Sequence, residues 1–139
     1  MRERKHVDIN ELYDLFVKRN DCYFVCCDIK DLVGINNLSR KAGDLAILEA
    51  MTRMVNAAGE EDVVFRIGGD EFTLLTDRTD ISYAQGIAEK IKELNGQPIS
   101  FEGTEIPLSL HIGITQFKQK PLRYNELFTE LHMSIKKSK

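Results

Sequence analysis

The stretch that most limits what this chain can become runs from Val63 to Leu75. Two β-type runs, Val63-Val64-Phe65 and Phe72-Thr73-Leu74-Leu75, flank a glycine pair, Gly68-Gly69. Apolar residues on both sides of two glycines read as a tight antiparallel hairpin. The glycines allow positive φ and let another group approach bare backbone. Asp70 and Glu71 follow at once. A turn that offers adjacent carboxylates beside open backbone suits a divalent cation and the phosphates it carries. A solvated acidic tip would use the same residues, so the rest of the chain has to decide between the two.

Around the hairpin, helical and strand patterns alternate. Asp8-Ile9-Asn10-Glu11 is a capping box, and Ile9, Leu12, Tyr13 and Phe16 give a leading helix its apolar stripe before Asn20-Asp21. Cys22 to Cys27 is continuously apolar, as in a strand buried on both faces, and stops at Asp28-Ile29-Lys30-Asp31. A second helix is predicted to open at Gly43-Asp44, to bury Leu45, Leu48, Met51 or Thr52 and Val55, and to end at Ala57-Ala58-Gly59. Asp80 caps a third, with Ala84, Ile87, Ala88, Ile91 and Leu94 as its stripe and Gly96 beyond its end. Residues 99–101 and 106–114 read as strands around Gly103. Residues 124–139 read as a final helix carrying Leu127, Leu131 and Ile135. After the leading helix the order is β-α-β-β-α-β-β-α. That order predicts an α/β (α+β) fold of the ferredoxin-like, split-βαβ kind, with a central, largely antiparallel sheet and packed helices.

Bulk properties exclude several function classes. The chain has 139 residues, enough for one domain with a real core. A net charge of −3 gives no reason to expect binding to nucleic acid or an anionic lipid surface. No apolar run approaches the roughly 20 residues of a membrane-spanning helix. The charged start, Met1-Arg2-Glu3-Arg4-Lys5, is followed by no signal-type apolar region, so a cytoplasmic location is expected. Cys22, Cys26 and Cys27 share one strand and fit neither a disulfide framework nor a zinc site; they read as buried structural thiols. His6, His111 and His132 are scattered and form no ligand motif.

Asp28 ends the first buried strand, while Asp70 and Glu71 sit at the hairpin turn. In a split-βαβ sheet the first strand can lie beside that hairpin, which would gather the three carboxylates at one edge. Acids so placed can hold Mg²⁺ on a triphosphate and promote in-line attack on its α-phosphorus. A P-loop, the other common triphosphate device, has no counterpart in this sequence.

These residues resemble a known signature. Arg66 to Phe72 is similar to the defining motif of GGDEF domains, the diguanylate cyclases of bacterial signalling. Further matches follow in chain order: Asp28-Ile29, Asn36 with Gly43-Asp44, Ser109-Leu110-His111-Ile112-Gly113, and Lys139. The resemblance implies a catalytic domain over 22–139. The segment 1–21 would be a leading helix that connects to an upstream sensor domain. It implies a homodimer in which two GTP molecules become cyclic di-GMP and pyrophosphate. It further implies that Asp28, the Ile29 carbonyl and Asp70 hold Mg²⁺ or Mn²⁺. Glu71 would complete the acidic site as ligand or as an aid to deprotonation. Gly68 and Gly69 would let the nucleotide lie against backbone, Asn36 and Asp44 would read guanine, and Lys139 would meet phosphate. An Asp accepting from the guanine edge rejects adenine, which leaves the carboxylate unmatched.

The sequence also departs from that pattern. The family's phosphate-binding Lys falls at Val33, and the segment 37–42 is one residue short. Losing one cation from a triphosphate site costs roughly 1–3 kcal/mol. Gly59 stands where the family's inhibitory element has Arg, although Asp62 keeps that element's last position. A rival reading therefore stands beside the enzyme: a GGDEF-like module that binds GTP or a guanine dinucleotide and signals through protein contacts. A cyclase accepting ATP at one site is a third reading, against which Asp44 speaks.

Overall fold

The computed structural model describes Lys18, residues 21–66 and residues 70–116. The expected leading and final helices, Gly68, Gly69 and Lys139 lie outside the described residues.

The chain runs β1 (Tyr23–Ile29), α1 (Leu32–Leu38), α2 (Arg40–Ala57), β2 (Val63–Arg66), β3 (Glu71–Leu75), α3 (Ile81–Lys92), β4 (Pro98–Phe101), β5 (Thr104–Pro107) and β6 (Leu110–Gln116). Four strands form one sheet in the order β2-β3-β1-β6, and β4 and β5 make a separate ribbon. β3 is antiparallel to both β1 and β2, so β1 and β2 run the same way with β3 inserted between them. This is the split-βαβ arrangement the element order predicts, an α+β fold with an antiparallel central sheet.

β1 sits inside the sheet with a partner on each side, which accounts for its unbroken apolar run. Phe24 through Ile29 are all buried. Val25, Cys27 and Ile29 share a face with Phe72, Leu74 and Val64, and the buried residues of α2 and α3 pack on that face. The opposite face carries Phe24, Cys26, Phe65, Thr73 and Leu75, also buried, so the sheet is covered on both sides. Burial, with Cys26 and Asp28 adding to it, pushes the Cys27 thiol well up; these cysteines are neutral core residues.

Several sequence expectations need correction. α2 starts at Arg40, not Gly43, with Ser39 as its N-cap. Its buried face is Ala42, Gly43, Ala46, Ala50, Arg53, Met54 and Ala57, whereas Leu45 and Leu48 are exposed by 37% and 63%. Small residues at four-residue spacing let the helix sit close on the sheet face that carries Val25, Cys27 and Val64, and the leucines are left on the outer side. The strand expected over 106–114 is broken at Leu108-Ser109 into β5 and β6. The β4–β5 turn is Glu102-Gly103 with φ of 48° and 81°, the positive pair of a type I′ hairpin. α3 forms with Asp80 accepting from the Ser82 N–H and Ala84, Ile87, Ala88 and Ile91 buried, but it ends at Lys92, so Leu94 of the expected stripe lies in the turn beyond it and is half-buried.

Candidate functional site

The sheet topology brings the carboxylates together. Asp28, the sixth residue of β1, lies directly across from Glu71, the first residue of β3. Directly opposed residues in an antiparallel pair share a face, with Cβ atoms about 4.5–5.5 Å apart. Asp70 is drawn to the same strand end, because its carbonyl accepts from the Ile29 N–H at 3.1 Å. Asp28 is only 1% exposed and its Oδ1 atom is shut off from solvent, whereas Asp70 and Glu71 are half-buried. A cation bound beside Asp28 and the opposed Glu71 would offset the cost of enclosing a carboxylate there.

The donor chemistry fits a hard divalent ion. Among the described residues no three acidic, histidine or cysteine side chains converge on one point. A cation here would therefore have a smaller protein set, namely the Asp28 and Asp70 carboxylates and the Ile29 carbonyl. Mg²⁺ is ordinarily held in this way, by one or two carboxylates plus the oxygens of a bound phosphate.

A second group of residues comes from the corner between α1 and α2. Ser39 alone separates the helices. Its N–H donates to the Ile35 carbonyl, closing α1, and its Oγ accepts from the Lys41 N–H, opening α2. The short segment 37–42 is thus absorbed in a one-residue corner. That corner presses Asn36 onto Gly43: a Cβ at Gly43 would overlap the Asn36 Oδ1 atom. Asn36 and Asp44 are consequently neighbours, and both are exposed. Asp44, Ile47, Leu48 and Met51 of α2, with Arg66 and Phe72 of the hairpin strands, line an open cavity of about 400 Å³. The leucine face left out of the core supplies its apolar wall, and Asp44 supplies an acceptor at its rim. Phe72 follows Glu71 in β3, so the cavity lies at the same strand end as the carboxylates but on the opposite face of the sheet from the Asp28 and Glu71 side chains.

Val33 is 72% exposed near the start of α1. Asp31 caps that helix from the left-handed region, φ 57°, and accepts from the Gly34 N–H at 3.1 Å. A side chain at position 33 therefore leaves into solvent and has no part in the core.

Asp62 is buried and already engaged. Its Oδ2 accepts from the Gly59 N–H at 2.6 Å and from the Tyr83 hydroxyl at 2.7 Å. A Cβ at Gly59 would overlap the Tyr83 oxygen, so the tyrosine occupies the space a longer side chain would need. Burial, then the hydrogen bond to Asp62 and its charge, push the Tyr83 hydroxyl up from 10.0 to about 12, against the nearby Arg78 guanidinium. The folded chain thus holds the phenolic proton more tightly than the unfolded chain does. The associated stability is complete below pH 10 and is lost as pH rises towards 12. Tyr83→Phe is expected to remove that alkaline decline in denaturant melts; an unchanged decline would show that another group causes it.

Two placements escape sequence reasoning. His111 of β6 lies directly across from Asp28 on the side away from Glu71. Arg53, 2% exposed, donates to the carbonyls of Leu108 and Gln97, both at 2.9 Å, and to Glu49. Pairing register would have found the first; a charged residue in an amphipathic helix gives no signal for the second.

The family described as "Diguanylate cyclase, GGDEF domain" matches residues 6–139. Among curated proteins, the bifunctional diguanylate cyclase/cyclic di-GMP phosphodiesterase MucR of Pseudomonas aeruginosa is 33% identical over 75 residues, 54% of this chain and 11% of that protein. Diguanylate cyclase A of Treponema denticola is 26% identical over 102 residues, 72% of this chain and 28% of its own length. The chain therefore spans well under a third of these relatives. Among solved structures, a sensory box/GGDEF family protein from Caulobacter crescentus superposes with a TM-score of 0.79 at 20% identity, covering 95% of this chain and 92% of that one. The GGDEF domain of DgcB from Caulobacter crescentus, solved in complex with c-di-GMP, gives 0.78 at 14% identity, covering 97% and 84%. No helix among the described residues is long and apolar enough to cross a membrane.

Proposed function

Since this chain belongs to the GGDEF family of diguanylate cyclase domains, we propose that it condenses two GTP molecules into cyclic di-GMP and two pyrophosphates. The observation that carries this reading is the pairing of Asp28 with Glu71 at the strand end to which the Asp70 backbone is hydrogen-bonded, with the Asp44-lined cavity at the same end of the hairpin. Asp28, Asp70 and the Ile29 carbonyl would hold Mg²⁺ or Mn²⁺, which when bound would offset phosphate charge and polarise the α-phosphorus. Glu71 serves the same acidic site, beside the proton that the attacking 3′-hydroxyl must lose. The 3′-hydroxyl oxygen forms the new bond to the α-phosphorus as the bond to pyrophosphate breaks. Asn36 and Asp44 pair with the guanine edge, exposed Leu48 lies beside the ring, and Gly68, Gly69 and Lys139 contact the phosphates. Each site holds one GTP, so closing the cyclic product takes two copies of the domain facing one another. An upstream sensor domain, in a cytoplasmic protein, would govern that meeting.

The direct test is incubation with GTP and Mg²⁺ or Mn²⁺, with ATP in parallel, and chromatographic separation of products. Cyclic di-GMP from GTP alone is expected. GTP binding without product would favour a binding module that signals through protein contacts, a reading to which exposed Val33 lends some weight. No GTP binding would overturn both.

Val33→Lys restores a cation beside the site. Because position 33 is solvent-facing, the melting temperature should hold while kcat/KM for GTP rises up to about tenfold, the limit for one screened charge-assisted contact. No gain would show that α1 points the new ammonium away from the phosphates.

Product feedback through Asp62 is not expected, because Gly59 brings no guanidinium and Tyr83 occupies its place. Cyclic di-GMP should slow the reaction only by competition, relieved at saturating GTP. Non-competitive inhibition that Asp62→Ala abolishes would refute this.

A further inference from the structure

We propose that Arg66 is a specificity-determining residue, whose guanidinium reads the O6/N7 edge of guanine in the cavity that Asp44 also lines; the inference rests on the guanine-binding reading above. Arg66 ends β2 and lies directly across from Phe72 of β3. Opposed residues share a sheet face, and Phe72 is on the face that α2 covers. Arg66 is exposed there, and its side chain forms part of the wall of the cavity of about 400 Å³. A carboxylate from the helix side and a guanidinium from the strand side therefore meet one cavity. Ile47, Leu48, Met51 and Phe72 make the rest of its lining apolar, which suits the faces of a planar ring.

Guanine has two unlike edges. Its N1–H and 2-amino groups donate, whereas O6 and N7 accept. Asp44 offers only acceptors while ionised, and Arg66 only donors. The cavity thus carries a complement for each edge. A guanidinium is a rigid fork that meets O6 and N7 at once, the commonest base-specific contact made to guanine by proteins. Adenine presents its 6-amino group where guanine has O6, so it would turn a donor towards the guanidinium. Asp44 rejects adenine at one edge; Arg66 adds a second rejection at the other.

The test is calorimetric binding of three nucleoside diphosphates to the full chain with Mg²⁺, since a diphosphate cannot release pyrophosphate. GDP is compared with 7-deaza-GDP, in which C–H replaces N7, and with inosine diphosphate, which lacks the 2-amino group. The parent should bind both analogues more weakly than GDP. Arg66→Ala should lose GDP affinity by about 5- to 150-fold, the equivalent of one bidentate base contact, and should no longer distinguish GDP from 7-deaza-GDP. It should still prefer GDP to inosine diphosphate, because Asp44 remains. Arg66→Lys, with its point-like ammonium, should recover only part of the GDP affinity. Melting temperatures should stay close to the parent's, since Arg66 is exposed. A parent that binds GDP and 7-deaza-GDP equally overturns the inference alone. An Arg66→Ala variant that keeps the parent's ratio between those two also overturns it, because its loss then comes from phosphate contact or packing. Equal losses for all three nucleotides with a lowered melting temperature assign Arg66 to the fold and overturn it as well. A parent that binds no GDP removes the guanine-site reading itself, and this inference with it.

Discussion

Asp70→Ala is expected to lower GTP turnover by about a thousandfold or more while the fold survives, because on the proposed reading it removes a ligand of the catalytic ion and with it several kcal/mol of transition-state charge stabilisation. The structure makes this a clean experiment. Asp70 is half-buried just before β3, and its contribution to the sheet is its backbone carbonyl, which accepts from the Ile29 N–H whatever the side chain. Alanine leaves that bond in place, so thermal melting should move by no more than a few degrees. GTP affinity in the presence of Mg²⁺ should fall towards the metal-free value. Asp28→Ala is a poorer probe, since Asp28 is enclosed and its loss leaves a void beside Cys26 and Thr73. Turnover in Asp70→Ala within tenfold of the parent would remove Asp70 from the catalytic set.

The site was unevenly legible in the sequence. The hairpin could be read because its chemistry is local: apolar runs, two glycines and two acids all lie within thirteen residues. β1 could be read because an inner strand buried on both faces must be apolar throughout. α1 could not. Gly34, Asn36 and Asn37 are poor helix formers, and the helix is held instead by the Asp31 cap and by the corner at Ser39. α2 turns its leucines outward and its alanines inward, because side-chain size alone does not mark burial. Alanine spaced by four is what close packing of a helix on a sheet face of bulky side chains demands. That outward face bears on function: Leu48, exposed rather than buried, becomes a wall of the cavity that Asp44 overlooks. The register of His111 was invisible for a different reason. Its place opposite Asp28 exists only once β6 pairs with β1, eighty-three residues away in sequence, and no local spacing encodes that.

Arg53→Met is expected to destabilise the domain by about 3 kcal/mol, since two buried hydrogen bonds from a charged donor contribute about 1.5–3 kcal/mol each at most and their carbonyl acceptors are not wholly orphaned. The Leu108 carbonyl keeps the Gly96 N–H and the Gln97 carbonyl keeps the Leu108 N–H, which places the loss at the low end of that range. Methionine preserves the apolar stem, so the change isolates the guanidinium. The guanidinium joins α2 to the segments flanking the β4–β5 ribbon, Gln97 on one side and Leu108 on the other. A planar fork can hold both carbonyls at once, so Arg53→Lys, with a point-like ammonium, should recover only part of the loss. The Glu49 pair is a minor contributor: Glu49 is 38% exposed, and Glu49→Gln should cost no more than about 0.5 kcal/mol. For a domain of this size, 3 kcal/mol corresponds to a fall in melting temperature of roughly 10 °C. Hydrogen exchange should rise first in the β4–β5 ribbon, because the clamp is lost there while β1 and β3 keep their ladder. A loss below about 1 kcal/mol, or exchange that rises evenly across the sheet, would show that apolar packing, and not this one cation, fastens the ribbon to the core.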